Sequence, residues 1–155
     1  MATTISRGLA AGEIDMLKPV FGSGIDYTKV WVHNYKWFPF QPDDTTMTPN
    51  GEEYWNPGDF LMDFSLSSVP VWKRAWFVHE GTHLYQHYGL KWNVTVRGIV
   101  SRNYNYTLDA SKTKLSDYGL EEMGDIASDY YKLTQGDTIK KSYTLKDYAG
   151  LLPIK

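Results

Sequence analysis

One uninterrupted segment constrains this chain more than any other. Between Pro70 and Gly89 there is no proline, and Gly81 is the lone internal glycine. Ser67 and Ser68 ahead of Pro70 supply a cap and a first-turn proline. Gly89 supplies a stop. The pattern predicts one long helix over residues 71–88. Within it lies Val78-His79-Glu80-Gly81-Thr82-His83, an H-E-x-x-H match. Positions i and i+4 share a helix face one turn apart, so His79 and His83 can point their imidazoles at a single metal ion. Glu80 projects about 100° away, where it can reach a water on that ion without ligating it. With four His and six Glu in 155 residues, chance yields roughly 0.004 such matches. The competing explanation is a pair of histidines hydrogen-bonded inside a Trp-rich core, and the Glu beside the first His weighs against it.

The sequence holds no cysteine. Disulfides, iron–sulfur clusters, Cys-type zinc sites and thiol nucleophiles are excluded, so any metal is held by His, Asp or Glu. A length of 155 residues suits one domain spanning 1–155. A net charge of −2 leaves no basic excess to neutralise phosphates, which argues against nucleic acid as a partner. Six Trp, twelve Tyr and six Phe provide the apolar surface for a packed core. No apolar stretch approaches the ~20 residues needed to span a bilayer. The first eleven residues lack the basic region, apolar run and cleavage site of a signal peptide. The expectation is residence in the producer's cytoplasm, with export, if any, by another route.

Residues 9–20 show helical apolar spacing that ends at Pro19 and the Gly22-Ser23-Gly24 cluster. Residues 27–40 are rich in Val, Trp and Tyr and read as strand, closed by Pro39 and Pro42. Residues 52–56 and 60–64 read as short strands, split by Pro57-Gly58-Asp59. Residues 90–108 are ambiguous. Ser116 or Asp117 can cap a second helix over 120–133, and a last short helix or strand falls within 140–152. A helix, then strands, then a long helix, a connector and a helix gives an α+β fold with a small antiparallel or mixed sheet.

Catalytic zinc usually takes three protein ligands and keeps one position for water. His87 lies at i+8 from His79, about 12 Å away along the axis. That is too far for both to bind one ion, so His87 reads as a rim or structural residue. His33, in a strand segment, is a weaker candidate. A carboxylate from the second helix is a better third ligand. There Glu121 shares a face with Asp125, and Glu122 more loosely with Asp129. A ligating Glu with an Asp at i+4 lets the Asp accept the other N–H of a ligating His and fix its tautomer. A solvated acidic helix face would look the same.

The chain resembles a zincin-type metallopeptidase of the gluzincin kind. More closely, it resembles the small metallopeptidase toxin domains attached to type VI secretion spike proteins and related polymorphic toxins. The matching segments are Leu9-Ala10-Ala11-Gly12-Glu13-Ile14, Val20-Phe21-Gly22 through Ile25-Asp26-Tyr27, Met47-Thr48-Pro49-Asn50-Gly51, Phe77 through His83 with Gln86, and Asp117-Tyr118-Gly119-Leu120-Glu121 through Asp129-Tyr130-Tyr131. The resemblance implies a zincin-like fold and a zinc ion held by His79, His83 and Glu121, with Asp125 behind a ligating His. It further implies a role as an antibacterial secreted effector, a secretion spike partner and a neutralising immunity protein. The family pattern has Met where this chain has Gly81, and Gln-Gln where it has Glu122-Met123.

Under this reading zinc lowers the pKa of a water, and Glu80 takes that water's proton as it attacks a peptide carbonyl. A further donor must meet the developing oxyanion. Tyrosine is the expected source, with arginine as the alternative. Tyr104, Tyr106 and Tyr118 lie nearby in sequence, and Tyr106 is nominated as the catalytic one. The segments around Trp31–Phe40 and Glu52–Asn56 could offer a sheet edge to an extended peptide or protein substrate, or their aromatics could simply cover the core. Two other functions fit the same residues: a zinc hydrolase of peptidoglycan peptides, and an inactive zincin scaffold that only binds.

Overall fold

The computed structural model of the chain describes residues 3–100 and 105–153. The fold is α+β, as expected: a small three-stranded sheet and five helices among the described residues. The strands are β1 (Ser6–Arg7), β2 (Val32–His33) and β3 (Glu53–Tyr54). β1 pairs antiparallel with β2, and β2 pairs parallel with β3. The helices are α1 (Ala11–Phe21), α2 (Val71–Tyr88), α3 (Val94–Val100), α4 (Leu120–Thr134) and α5 (Leu145–Ala149).

α2 has the predicted bounds, although its N-cap is Pro70 and no side chain caps it. Beyond Gly89 the chain takes a left-handed step at Lys91, φ 60°, instead of at the glycine. α4 is one residue longer than predicted and is capped differently. Glu122 accepts the Gly119 backbone N–H at 3.0 Å. Asp117 instead accepts from the Thr113 and Lys114 amides and closes a separate turn. The ambiguous stretch 90–108 contains α3, and 140–152 contains α5.

The strand expectations fare differently. Of residues 27–40 only Val32–His33 is strand, and Tyr27–Lys29 is a 3-10 turn. Trp31, Tyr35, Trp37 and Phe38 stay exposed, so no buried face enforces alternation, and Pro39 has no N–H to give a ladder. The buried Gln41 satisfies this loop in place of a neighbouring strand. It accepts from Trp37 N at 2.8 Å and donates to the Thr45 and Tyr54 carbonyls. Residues 60–64 are not strand either, because side chains have taken their backbone groups. Arg7 donates to the Leu61 carbonyl, and Phe64 N donates to Glu13 Oε2 at 2.9 Å. The two-residue β1 was not expected.

The core joins these parts. Trp55, just after β3, packs on Phe64 and Phe77, with ring centroids 4.4 Å apart for Trp55–Phe64 and 4.9 Å for Phe64–Phe77. Leu17, Val20 and Phe21 of α1 are buried alongside. Gly81 lets α1 approach α2, since a Cβ there would lie 2.5 Å from Leu17 Cδ2. Leu17 of α1 fills the space beside Gly81. No helix among the described residues is long and apolar enough to cross a membrane.

Candidate metal centre

α2 and α4 pack along their lengths, and the facing residues build the site. Helical spacing stacks His79 and His83 on one face of α2, their ring centroids 5.3 Å apart. Glu121 enters from the first turn of α4. Its Oε1 lies 2.7 Å from His83 Nε2 and 3.7 Å from His79 Nε2. The donor atoms of His79, His83 and Glu121 all fall within 4.8 Å of one another. Bonds of about 2.0–2.1 Å to a tetrahedral zinc place ligand atoms roughly 3.3 Å apart. The two Glu121–His separations bracket that value and the His79–His83 separation is within 4.8 Å, so the donor set is compatible with zinc after side-chain adjustment. Glu122, the other acidic residue of that turn, is spent on capping α4.

The far nitrogens of both histidines are also held. His79 Nδ1 lies 3.0 Å from Asp125 Oδ1, one turn beyond Glu121 on α4. His83 Nδ1 lies 2.9 Å from Gln86 Oε1. Gly124, between Glu121 and Asp125, makes room for the first imidazole. A Cβ there would sit 2.6 Å from His79 Cε1.

Burial would depress the His79 pKa, but hydrogen bonds to Asp125 and Glu121 outweigh it and hold the imidazole up at about 10. His83 is raised as well: burial opposes this, and Glu121 overcomes it. Glu121 shows the reciprocal effect. Burial pushes its carboxyl up, and the hydrogen bonds from His79 and His83 prevail, keeping it well below the usual carboxylate range. A metal binding at these nitrogens would compete with protons for them. Glu80 is buried, and its Oε2 accepts from Thr48 Oγ1 at 2.7 Å. Burial raises its pKa, and the two imidazoles and Thr48 only partly offset this.

The remaining candidates lie elsewhere. Tyr106 is buried in a different network. Its hydroxyl donates to Asp129 Oδ2 at 2.5 Å and meets the Tyr148 hydroxyl at 2.6 Å. Burial, then these partners, push its pKa far up. With its single proton committed to Asp129, Tyr106 ties the connector to α4 and α5 instead of offering that proton to a substrate. Tyr118 is buried too, accepting from Asp109 N at 3.0 Å. Tyr104 lies outside the described residues. His33 is engaged on both nitrogens, by Ser6 Oγ at 2.7 Å and Glu52 Oε1 at 2.8 Å. His87 packs against the Tyr88 ring.

Neither segment nominated as a sheet edge offers a free strand edge among the described residues. β2 is flanked on both sides. The outer side of β3 is taken by Met47, which exchanges both backbone hydrogen bonds with Tyr54, at 3.1 and 2.8 Å. Of the aromatics there, Trp55 is core, while Trp31, Tyr35 and Trp37 are exposed.

Three contributors were not assigned roles from sequence. Gln86 sits at i+3 from His83, a spacing that places it on the same helix side. Thr48 gave no local signal for its bond to Glu80, 32 residues away. Glu53 is wholly buried within electrostatic reach of Glu80, with neither carboxyl oxygen hydrogen-bonded among the described residues.

No protein-family model matches the chain. The chain is 38% identical over 137 residues to the type VI secretion system spike protein VgrG2b of Pseudomonas aeruginosa, covering 81% of this chain and 13% of that protein. This chain therefore spans a small fraction of that relative's length. The solved effector domain of Pseudomonas aeruginosa VgrG2b superposes with a TM-score of 0.77 at 32% identity, over 94% of this chain and 83% of that one.

Proposed function

The chain belongs to the family of the VgrG2b effector domain, and from that premise we propose that it is a zinc-dependent peptidase carried as an effector by a type VI secretion spike. The observation that supports this most is the convergence of Glu121 Oε1 on the two His Nε2 atoms, 2.7 and 3.7 Å away. A small sheet beside a long helix bearing both histidines, with a second helix delivering the acid, agrees with a zincin-like plan.

His79, His83 and Glu121 would hold the ion. When bound, zinc supplies a Lewis acid that polarises the scissile carbonyl and acidifies water toward neutral pH. The rest is the work of the chain. Glu80 stands one residue from the first ligand, and Thr48 fixes its carboxylate. It takes the proton of the attacking water and passes it to the leaving amine. Its raised pKa suits a group that must accept a proton and then give it up. Asp125 holds His79 by the ring nitrogen that faces away from Glu121. Tyr106 takes no part in this scheme.

The test combines metal content with hydrolysis. Elemental analysis should find one equivalent of zinc in the unaltered protein and none in His83→Ala. A casein-like protein should be cleaved by the unaltered protein and left intact by Glu80→Gln. Absence of zinc from both proteins would sink the proposal. Cleavage of isolated sacculi without cleavage of protein would move the substrate to peptidoglycan peptides. Undiminished potency of Glu80→Gln would point to a binding scaffold.

A further inference from the structure

We propose that Gln86 is a positioning residue that fixes the tautomer of His83 and couples that ligand to the backbone of the helix carrying Glu121. The inference rests on the metal-site reading above. Gln86 is fully buried. Its carboxamide bridges two groups whose hydrogen-bonding roles are not interchangeable. On one side Nε2 lies 2.8 Å from the Leu120 carbonyl oxygen, with the Met123 sulfur at 3.3 Å. A carbonyl oxygen can only accept, so the NH2 end must face it. On the other side Oε1 therefore faces His83 Nδ1 at 2.9 Å. That oxygen carries no proton, so the proton of the contact belongs to Nδ1. The lone pair left for a metal is then on Nε2, the nitrogen 2.7 Å from Glu121 Oε1.

His79 is held the same way, but by the Asp125 carboxylate. The two ligands thus have acceptors of different charge. Glu80, Glu121 and Asp125 already bring three carboxyl groups to one divalent ion. A neutral amide at residue 86 supplies the acceptor that His83 needs without adding a fourth. Leu120 directly precedes Glu121, so one side chain sets both the rotation of His83 and the distance of the third ligand's helix. Outer hydrogen-bond partners of this kind typically govern metal affinity by 10–100-fold.

The experiment measures zinc affinity by chelator competition for the unaltered protein, Gln86→Leu and Gln86→Glu. Gln86→Leu keeps the bulk and loses both hydrogen bonds, and zinc binding should weaken about 10–100-fold. Gln86→Glu keeps an acceptor at His83 but sets its other oxygen against the Leu120 carbonyl and adds a fourth carboxyl, so it should also bind zinc more weakly than the unaltered protein. Equal zinc affinity in Gln86→Leu and the unaltered protein would overturn the inference while leaving the metal reading intact. So would a Gln86→Glu protein that binds zinc as tightly as the unaltered one. A measurement independent of variant folding is the long-range 1H–15N correlation of the histidines in the zinc-loaded, unaltered protein. His83 should carry its proton on Nδ1, and a proton on Nε2 overturns the proposal. An unaltered protein that takes up no zinc overturns both readings together.

Discussion

The α2–α4 pair and the sheet side of the molecule solve the same problem in opposite ways. In the helices the backbone satisfies itself, which leaves side chains free. His79, Glu80, His83, Gln86, Glu121 and Asp125 all project from α2 or α4. On the sheet side the ladders are two residues long, and polar side chains are consumed in holding the chain together. Arg7 grips Glu13 through both terminal guanidinium nitrogens at 2.8 and 2.9 Å. Glu13 also accepts from Ala10 N and Phe64 N. Gln41 and Asn56 pin the loop that precedes β3. The candidate site lies where the backbone needs no help, and a rigid element holds a side chain more accurately than a loop does.

This contrast separates activity from stability, and the largest effects test it. Glu80→Gln should lower peptide hydrolysis by about 10²–10⁴-fold while leaving zinc content and melting temperature essentially unchanged. The buried Glu13 makes the converse case. Glu13→Ala strands Arg7 and frees the Phe64 amide, which should cost about 3–5 kcal/mol by denaturant titration. The fraction still folded should hydrolyse substrate at the normal rate. A catalytic defect in folded Glu13→Ala would break the division.

Two glycines on the helical side give a smaller, graded comparison. Both Gly81 and Gly124 accept close neighbours, but the neighbours differ in kind. At Gly81 a new methyl meets the end of the flexible Leu17 side chain; at Gly124 it meets the His79 ring. Gly81→Ala should cost at most about 1–3 kcal/mol from overpacking, less the ~1 kcal/mol gained in helix propensity, with zinc affinity unchanged. Gly124→Ala should push the imidazole off its partner Asp125 and weaken zinc binding about tenfold or more. Equal zinc affinities in the two variants would contradict the packing of His79 on Gly124.

The same division explains what could be read from the sequence. The bounds of α2, the pairing of His79 with His83 and the face shared by Glu121 and Asp125 follow from helical periodicity, a local rule. The sheet side obeys no local rule. Residues 27–40 have strand composition, yet only Val32 and His33 join the ladder and the Trp37 amide goes to Gln41, while residues 60–64 lose backbone groups to Arg7 and Glu13, 54 and 51 positions away. Tyr106 fails as a catalytic candidate for a similar reason. Proximity in sequence suggested it, and Asp129, 23 residues later, claims its proton.

Glu53 is the exception on the sheet side, a buried acid whose carboxyl oxygens make no hydrogen bond among the described residues, and it yields the smallest and most diagnostic prediction. Burial first, then the nearby charges of Glu80 and Glu13, raise its pKa well above the ordinary value of 4.5; Arg7 and Trp55 pull the other way and lose. Below about pH 4.5 Glu53 is protonated in both the folded and the unfolded chain, and its ionisation costs nothing. As pH rises past that value the unfolded chain releases the proton while the folded one retains it. The folded state then loses relative stability until pH reaches the raised folded pKa, above which the loss is constant. Glu53→Gln removes that titration at nearly constant shape. It should therefore stabilise the protein at neutral pH by about 1–3 kcal/mol, the scale for a buried polar group without a partner. The gain should shrink toward zero as pH falls to 4.5. Denaturant titrations of both proteins from pH 4 to 8 would show the two stability curves diverging as pH rises. If the curves run parallel, Glu53 ionises in the folded protein as readily as in the unfolded one. The sheet side would then have satisfied this acid as it does Glu13.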